Sequence, residues 1–334
     1  MKIVVDAMGG DYAPGVVIEG AINAVKEYGV DIVLVGDREK VEALLKKAGY
    51  RGDRIAVQHA PEVIEMHESA ATSVRRKRQS SIVVGLNLVK DKQADAFFSA
   101  GNTGATVCAA TLSLGLLPGV ERPGIALIIP TLKGLSLVID VGANIDPKPI
   151  QLLQYAIMSS VYLKDILSIP NPQVGLLNIG EEETKGTGFM KETYELLEKG
   201  IPNFIGNVEG KDLFSGKSDI IVCDGFVGNV ALKVSESAAE AVQEFLKRAV
   251  KSSPLAMLGI LLLKPSFAAF KKKVDYSEYG GAPLLGVNGT VIIGHGRSNA
   301  HAIKNAIRVA KEEVARNFNE KILEAINSAA IASS

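Results

Sequence analysis

Four segments of the sequence combine glycine with side chains that can bind an anion. Each follows an apolar run typical of a β-strand and precedes a helical pattern. Paired glycines let backbone N–H groups approach a ligand closely, and the free N–H groups of a helix N-terminus favour an anion. The candidate substrate- and phosphate-binding residues are Asp6, Gly9, Gly10, Asn102, Thr103, Gly104, Thr184, Gly186 and Asp224.

Four further side chains are candidate catalytic groups. Lys185 places a point charge among small hydroxyl and glycine residues, which suits a phosphate or an oxyanion. Asn229 and Lys233 are four residues apart and share a helix face. His295 is a candidate proton shuttle, because the intrinsic pKa of a histidine side chain lies near neutral pH. Plain turns, helix caps, a solvated acidic loop and an inert histidine remain open as alternatives for these positions.

Two segments only approximate known phosphate motifs. The 210–218 segment has five residues between its glycines where a P-loop needs four, and it leads into a predicted strand instead of a helix. The 294–299 segment, GHGRSN, lacks the third glycine of a dinucleotide fingerprint. A nucleotide triphosphatase is therefore not indicated, and the dinucleotide signal is weak.

Composition excludes several classes of protein. The 334 residues are 47% hydrophobic and 22% charged, which is typical of a folded globular chain. Lys plus Arg and Asp plus Glu each total 37, so the basic excess of a nucleic-acid binder is missing, and we expect no nucleic-acid partner. Two cysteines far apart and no paired histidine motif predict neither a disulfide framework nor a metal site. No signal or membrane-spanning pattern is found, so we expect a cytoplasmic protein.

The elements that must position these residues alternate between strand and helix for most of the chain. Such alternation predicts a mostly parallel central sheet with helices on both faces, a three-layer α/β/α fold of Rossmann-like type. A polar helix is predicted near 69–92, a hairpin around Lys133 and Gly134, and a frayed tail at 327–334. No linker interrupts the chain, so we expect one α/β domain over 1–334, with two lobes as an open alternative. Because ligands bind at the carboxyl ends of parallel strands, the four segments are expected to share one crevice.

Seven motifs follow one another along the chain. They are DAMGGD (6–11), SAGNTGA (99–105), VIDVGAN (138–144), VGLLNIGEEETKG (174–186), FIGNVEG (204–210), DGFVGNVALK (224–233) and YGGAPLLG (279–286). In this order they resemble one family, the bacterial phosphate acyltransferases that move a fatty acyl group from acyl carrier protein to inorganic phosphate. The similarity extends from about Met1 to Ala315, and it adds Asn144 to the candidate phosphate-binding residues.

The resemblance implies a fold like that of the phosphate acetyltransferases and the isocitrate and isopropylmalate dehydrogenases, a homodimer, and no cofactor. The product would be an acyl phosphate for phospholipid synthesis. Phosphate dianion is already charged near neutral pH, so no Ser–His or Cys–His pair is needed to activate it. A nicotinamide-dependent dehydrogenase of the isocitrate or isopropylmalate kind and a non-catalytic lipid-binding scaffold are the alternatives.

Two segments predict partners. The basic run Arg75, Arg76, Lys77 and Arg78 is a candidate docking site for the acidic carrier protein, although a solvated helix face is an equal alternative. The 250–275 segment predicts a protruding helical hairpin with an apolar tip and lysines at its base, which suits contact with an anionic membrane surface. Its candidate contact residues are Leu255, Leu258, Leu261, Leu262 and Phe267. A buried helix or subunit interface remains open there. Membrane contact would deliver acyl phosphate to the membrane-bound glycerol-3-phosphate acyltransferase.

Overall fold

The chain folds around one large twisted sheet, as seen in a computed structural model. The structure describes residues 1–251, 263 and 276–332. Among these residues the sheet has eleven strands in the order β3-β2-β1-β4-β11-β10-β5-β6-β9-β7-β8. The strands are β1 (Lys2–Asp6), β2 (Asp31–Gly36), β3 (Ile55–His59), β4 (Ala96–Ser99), β5 (Gly124–Thr131), β6 (Gly134–Ile139), β7 (Val174–Leu177), β8 (Phe204–Val208), β9 (Ile220–Val222), β10 (Ala282–Leu285) and β11 (Thr290–Ile293).

Helices connect most of the strands and cover both faces of the sheet. Short 3₁₀ turns lie at Gly210–Phe214 and Tyr276–Glu278. The α-helices are α1 (Gly15–Tyr28), α2 (Arg38–Lys47), α3 (Ala70–Arg76), α4 (Ser81–Lys90), α5 (Thr103–Leu114), α6 (Pro149–Asp165), α7 (Gly188–Gly200), α8 (Gly225–Lys251), α9 (Ala300–Ala315) and α10 (Phe318–Ala332).

Alternate residues of each strand pack into opposite layers, as the two-residue period of a strand requires. Val4 and Phe97 pack with α3, α4 and α5, whereas Ile3, Val5 and Phe98 pack on the opposite face with α1, α2 and α9. In the second half of the sheet the layer of Val4 continues under α8, and α6, α7 and α10 cover the other face. This arrangement confirms the predicted three-layer α/β/α fold.

The two halves of the sheet run in opposite directions. Strands β1, β2, β3, β4 and β11 are mutually parallel, and β6, β7, β8 and β9 are parallel to one another. Between them β10 is antiparallel to both β11 and β5, and β5 is antiparallel to β6, which is the predicted hairpin. The carboxyl ends of β7 and β9 therefore do not lie at the same edge as those of β1 and β4. The expectation of four equivalent strand ends is wrong for this reason.

Two helix predictions also need correction. The polar helix expected near 69–92 is two helices, because the backbone leaves the helical conformation at Lys77 and the Ser80 hydroxyl caps a new helix by accepting from Val83 N. The tail expected to be frayed at 327–334 belongs to α10 as far as Ala332. Apolar residues of α10, among them Phe318 and Ile322, are buried against α6, which holds that helix on the fold.

Candidate functional site

A buried carboxylate joins the loops that follow β1 and β4. Asp6 is 1% exposed and accepts from the Ser99 hydroxyl at 2.7 Å and from Met8 N at 3.0 Å. Burial raises the pKa of Asp6, and hydrogen bonds from groups that include Ser99 and Met8 oppose the rise. A Cβ at Gly9 would lie 2.6 Å from Asp6 Oδ2 and 2.7 Å from Gly101 N, so only glycine fits there. Asp6 and Gly9 therefore hold the loops after β1 and β4 against each other.

The backbone beside Gly9 reaches the loop after β11. Gly10 has a φ of +108°, a conformation that favours glycine. The next residue, Asp11, donates its backbone N–H to the Gly296 carbonyl at 2.8 Å. The first predicted segment therefore lies against the loop that carries His295.

Asn102 caps α5 and holds a distant loop. Its Oδ1 accepts from Ala105 N at 2.9 Å, and its Nδ2 lies 3.1, 3.2 and 3.1 Å from the carbonyl oxygens of Glu65, Met66 and Glu68. The side chain is 7% exposed, so its polar atoms are used within the protein. Asn102 therefore positions the 65–68 loop.

The residues that open α5 follow directly. Thr103 and Gly104 are its first two residues, and a Cβ at Gly104 would lie 3.1 Å from the Ala70 side chain at the start of α3. The backbone N–H groups of Thr103 and Gly104 are the ones that a helix N-terminus offers to an anion. Phosphate binding at these two positions stays a prediction.

Asp140 organises the corresponding loop after β6. Its carboxylate accepts from four backbone N–H groups, those of Ile125, Gly142, Ala143 and Asn144, at 2.7–3.0 Å. Burial raises the pKa of Asp140, while these N–H groups act in the opposite direction. Asp140 was not among the candidate residues, although its position directly after a strand, like that of Asp6, was a usable signal.

Asn144 has structural partners as well. Its Nδ2 donates to Gln151 Oε1 at 2.9 Å and to the Tyr155 hydroxyl at 3.3 Å, and its carbonyl accepts from Gly225 N at 2.9 Å. The predicted ligand Asn144 thus connects the 140–144 loop to α6 and to the start of α8.

The N-terminus of α8 packs unusually close to that loop. The Asp224 side chain accepts from Val227 N at 2.8 Å, so Asp224 caps the helix. A Cβ at Gly228 would lie 1.9 Å from the Asp140 carbonyl oxygen, and the Asn229 Nδ2 lies 3.1 Å from where a Cβ on Gly142 would be. The glycines of the DGFVGN motif therefore allow the backbone of α8 to contact the backbone of the 140–144 loop. This contact places the Asn229 side chain beside Gly142.

Lys233, one turn further, belongs to a cluster with Glu236 and His295. Lys233 Nζ lies 2.8 Å from Glu236 Oε2 and 3.4 Å from His295 Nε2, and Glu236 Oε1 lies 3.6 Å from the same ring nitrogen. His295 Nδ1 accepts from Arg297 N at 3.1 Å, and this shorter contact favours the neutral tautomer with its proton on Nε2. The structure thus brings together Lys233 and His295, which were predicted separately as catalytic groups.

The electrostatics of the cluster favour the neutral imidazole. Burial lowers the pKa of His295; Glu236 acts to raise it, and Lys233 acts with burial to lower it. Glu236 was missed by sequence reasoning, although its spacing of three residues from Lys233 on one helix was a signal. A neutral Nε2–H beside an ammonium group can donate to a developing negative charge.

Two grooves meet at this cluster. The apolar groove, about 700 Å³ in volume, is lined by Ile145, Gly225, Phe226, Asn229, Val230, Lys233, Val234, Ser237 and Ala238. The polar groove, about 310 Å³, is lined by Asp11, Met66, Lys233, Glu236, Ser237, Glu240, His295, Gly296 and Arg297. Lys233 and Ser237 line both. Because α8 leaves the end of β9 and reaches the end of β11, it joins strand ends that the sheet itself keeps apart.

The loop that carries Lys185 forms its hydrogen bonds and ion pairs with residues outside this cluster. The Lys185 carbonyl accepts from Asn178 Nδ2 at 3.2 Å, and the side chain is exposed. Glu181 in the same loop pairs with Lys217 at 3.2 Å and Lys211 at 3.3 Å, and these two lysines lower the pKa of its carboxyl. Across the described ranges, no hydrogen bond or ion pair joins residues 180–188 to Asn229 or Lys233. A role of Lys185, Thr184 and Gly186 in phosphate binding stays a prediction.

The basic segment divides into one structural lysine and three exposed arginines. Lys77 Nζ pairs with Glu68 at 2.7 Å and donates to the Val63 carbonyl at 2.7 Å, so it ties α3 to the loop before it. The Lys77 ammonium lowers the pKa of Glu68. Arg75, Arg76 and Arg78 are exposed.

Most of the predicted membrane hairpin at 250–275 lies outside the described residues. Its candidate contact residues, Leu255, Leu258, Leu261, Leu262 and Phe267, lie outside the described residues. Within the part of the chain that is described, no helix has the length and apolar character to cross a bilayer. In the same part, no group of three or more His, Cys, Asp or Glu side chains is arranged to hold a metal ion.

The fold resembles that of solved phosphotransacylases. A phosphotransacetylase from Streptococcus pyogenes superposes with a TM-score of 0.66 over 94% of each chain at 18% identity. A branched-chain phosphotransacylase from Enterococcus faecalis gives a TM-score of 0.57 over 95% of this chain and all of the other, at 13% identity. At such identities the likeness shows a shared fold.

Sequence relatives are much closer. Residues 1–321 match the family described as fatty acid synthesis protein. The phosphate acyltransferase of Dictyoglomus turgidum is 52% identical over 329 residues, 98% of each chain, and that of Geobacter sulfurreducens is 50% identical over 324 residues, 97% of this chain and 94% of the other. These relatives do not favour the dehydrogenase alternative. The chain belongs to the phosphate acyltransferase family and is an acyltransferase that transfers an acyl group to phosphate in fatty acid and phospholipid synthesis.

Proposed function

We propose that the acyl donor is the thioester of acyl carrier protein with a long-chain fatty acid, and that the product is a long-chain acyl phosphate. A phosphate oxygen attacks the thioester carbonyl carbon, the C–S bond breaks, and the carrier's thiolate leaves and takes up a proton. The observation that supports this assignment is the junction at Lys233 of an apolar groove with a polar one. A thioester with a fatty chain on one side and a polar arm on the other has that same division.

Asn229 and the cluster of Lys233, Glu236 and His295 would stabilise charge during this reaction. The tetrahedral intermediate carries an oxyanion, and the Asn229 amide and the Lys233 ammonium are the candidate donors to it. Preorganised donors of this kind are worth about 10²–10³-fold in rate each. His295, neutral with its proton on Nε2, is suited to donate to the departing sulfur.

Phosphate is proposed to enter by the polar groove. The 65–68 loop, held by Asn102, places Met66 in that groove, close to the helix N-terminus at Thr103 and Gly104. The loop of Gly9 and Gly10 borders the same groove through Asp11. Lys185, with Thr184 and Gly186, stays in the proposal as a second phosphate-binding segment on an exposed loop.

The carrier protein is proposed to dock at Arg75, Arg76 and Arg78. These exposed side chains lie one short helix away from the 65–68 loop, so a carrier bound there would stand beside the polar groove. Carrier proteins of fatty acid synthesis are acidic, and exposed complementary charge acts mainly on the association rate. Lys77 contributes less because Glu68 already neutralises it.

A homodimer at the membrane surface completes the proposal. Beyond the apolar groove, Val242, Phe245 and Leu246 on α8 are 56%, 67% and 52% exposed, which favours a covering partner on that part of the helix. Long-chain acyl phosphate partitions into lipid, where the membrane glycerol-3-phosphate acyltransferase would consume it. Peripheral attachment of a cytoplasmic protein through the 250–275 segment would shorten that transfer.

Thiol release tests the donor directly. Palmitoyl carrier protein and palmitoyl coenzyme A are mixed in turn with the protein and phosphate, and free thiol is followed with a thiol reagent. We expect phosphate-dependent release with the carrier substrate at the higher kcat/KM. Equal or greater release from the coenzyme A substrate would contradict the carrier assignment, and no release from either would contradict the proposed reaction.

A charge reversal tests the docking site. Arg75→Glu with Arg76→Glu should raise KM for the carrier substrate at low salt and weaken its dependence on ionic strength, with little effect on kcat. Lys46→Glu with Lys47→Glu, on the exposed end of α2, is the control of equal charge change. Equal KM values for the two double variants would contradict docking at α3.

A further inference from the structure

We propose that the apolar groove along α8 binds the fatty acyl chain of the substrate and sets the chain-length preference. The inference rests on the proposed function, since it locates one part of the proposed donor. It assigns the groove wall formed by Ile145, Phe226, Val230 and Val234.

The exposure of this wall needs an explanation. Phe226, Val230 and Val234 are 61%, 47% and 63% exposed, and Ile145 across from them is 70% exposed. Spaced four residues apart, the three α8 side chains form one stripe on the helix. A contiguous apolar surface inside a groove, rimmed by polar groups, is typical of a binding site.

A polar stripe of the same helix also lines the groove. Asn229, Lys233 and Ser237 are also spaced four residues apart, so they form a second stripe beside the apolar one. The groove therefore has an apolar lane and a polar lane that run in parallel. An amphiphilic occupant suits this pattern better than a purely apolar one does.

The position of the polar lane identifies the occupant. Lys233 and Ser237 also line the polar groove, where Lys233 lies 3.4 Å from His295 and 2.8 Å from Glu236. A chain in the apolar lane would thus end with its carbonyl carbon at the junction of the two grooves. Binding of a second copy of this chain or of a lipid surface would not require the apolar lane to lead into the polar groove.

The size of the groove suits a long chain. From Phe226 to Ser237, the further of the two residues shared with the polar groove, the helix rises about 16 Å. Carbon–carbon bonds of about 1.5 Å in zigzag advance about 1.3 Å each, so about 12 methylene groups span that length. The volume of about 700 Å³ leaves room for such a chain together with solvent.

An open groove buries a chain on one side only. Full burial raises the binding affinity about fourfold for each methylene group, so burial in a half-open groove should raise the affinity about twofold for each. Between a four-carbon and a sixteen-carbon acyl group, kcat/KM should therefore rise by orders of magnitude. A polar side chain in the apolar lane should remove most of that gain.

A matched pair of substitutions tests the groove. Val234 lies in the apolar lane, and Leu112, on α5, lies outside both grooves with similar exposure. We expect Val234→Asp to lower kcat/KM at least tenfold for palmitoyl carrier protein and less than threefold for butyryl carrier protein. Leu112→Asp should leave the ratio of the two substrates unchanged. Loss of both substrates to the same degree, or of neither, would overturn the proposal.

Binding separates this inference from the proposed reaction. Displacement of a fluorescent fatty acid by palmitate, with no phosphate or carrier present, should weaken at least tenfold in Val234→Asp and stay unchanged in Leu112→Asp. Equal affinity in both variants would overturn the groove even if the enzyme is active. Failure of wild-type protein to release thiol from any donor, with palmitate binding lost only in Val234→Asp, would contradict the reaction and leave the groove supported. If Val234→Asp dissociates a dimer and weakens both substrates equally, the groove is a subunit interface.

Discussion

The cluster of Lys233, Glu236 and His295 predicts opposite shifts of one histidine pKa. Lys233 Nζ and Glu236 Oε1 lie 3.4 and 3.6 Å from His295 Nε2. A unit charge at such a distance is worth about 1 kcal/mol in water and about 4 kcal/mol at an effective dielectric constant of about 20. The Lys233 side chain is 58% exposed, so solvent screens it toward the lower value. An interaction of that size is enough to move the His295 pKa measurably, and the two neighbours act in opposite directions.

The signs follow from the charges. Glu236 stabilises the imidazolium ion, so Glu236→Gln should lower the His295 pKa further below its ordinary value. Lys233 destabilises the imidazolium ion, so Lys233→Gln should raise that pKa. Folding favours the neutral ring, and His295 therefore contributes stability above its unfolded-state pKa that is lost as the pH falls.

Proton NMR of the imidazole ring measures these shifts without any assay of activity. The chain has four histidines, and His295→Gln assigns the resonance. Glu244→Gln is the control, because Glu244 lies two turns further along α8 and pairs with Arg248 at 2.8 Å. A shift in the same direction for Glu236→Gln and Lys233→Gln, or shifts no larger than that of Glu244→Gln, would refute the geometry of the cluster.

Two further predictions concern stability. Gly228→Ala places a Cβ 1.9 Å from the Asp140 carbonyl oxygen, so urea unfolding should show that the free energy of unfolding falls by about 3 kcal/mol. The control Gly188→Ala has nothing within 4 Å of its Cβ and should change that free energy by less than about 1 kcal/mol. Equal unfolding midpoints for the two variants would contradict the close packing of α8. Glu313 is 3% exposed, and burial raises its pKa well above 4.5. The protonated carboxyl therefore contributes stability that is present below pH 4.5 and is lost as the pH rises. Glu313→Gln should raise Tm more at about pH 8 than at about pH 5, and an equal rise at both would contradict a buried, protonated carboxyl.

Local signals predicted most of the elements correctly. The helix predicted at 15–28 and the hairpin around Lys133 and Gly134 both formed, because helix periodicity and turn residues act over a few positions. The direction of the second half of the sheet was missed, since it depends on where the short strand β10 inserts between β11 and β5. That insertion is a long-range pairing with no local sequence signal.

The site shows the same division between local and distant information. Lys233 and Asn229 were predicted to share a helix face, which the helical period alone requires. That Lys233 also contacts His295, 62 residues later, depends on the path of α8 across the sheet. Asn102 was predicted to bind phosphate, yet its amide holds carbonyl groups more than thirty residues earlier in the chain. Sequence shows that a side chain can form hydrogen bonds, but its partners come from the fold.

The central claim is that acyl transfer to phosphate takes place beside Asn229 on α8. The most direct test compares phosphate-dependent thiol release from palmitoyl carrier protein by Asn229→Ala and by Gln243→Ala, which removes an exposed amide from the same helix outside both grooves. The loss of one charge-stabilising donor should lower kcat about 10²-fold in Asn229→Ala, and Gln243→Ala should keep the wild-type rate. Wild-type turnover in a folded Asn229→Ala would contradict the placement of the reaction on this helix.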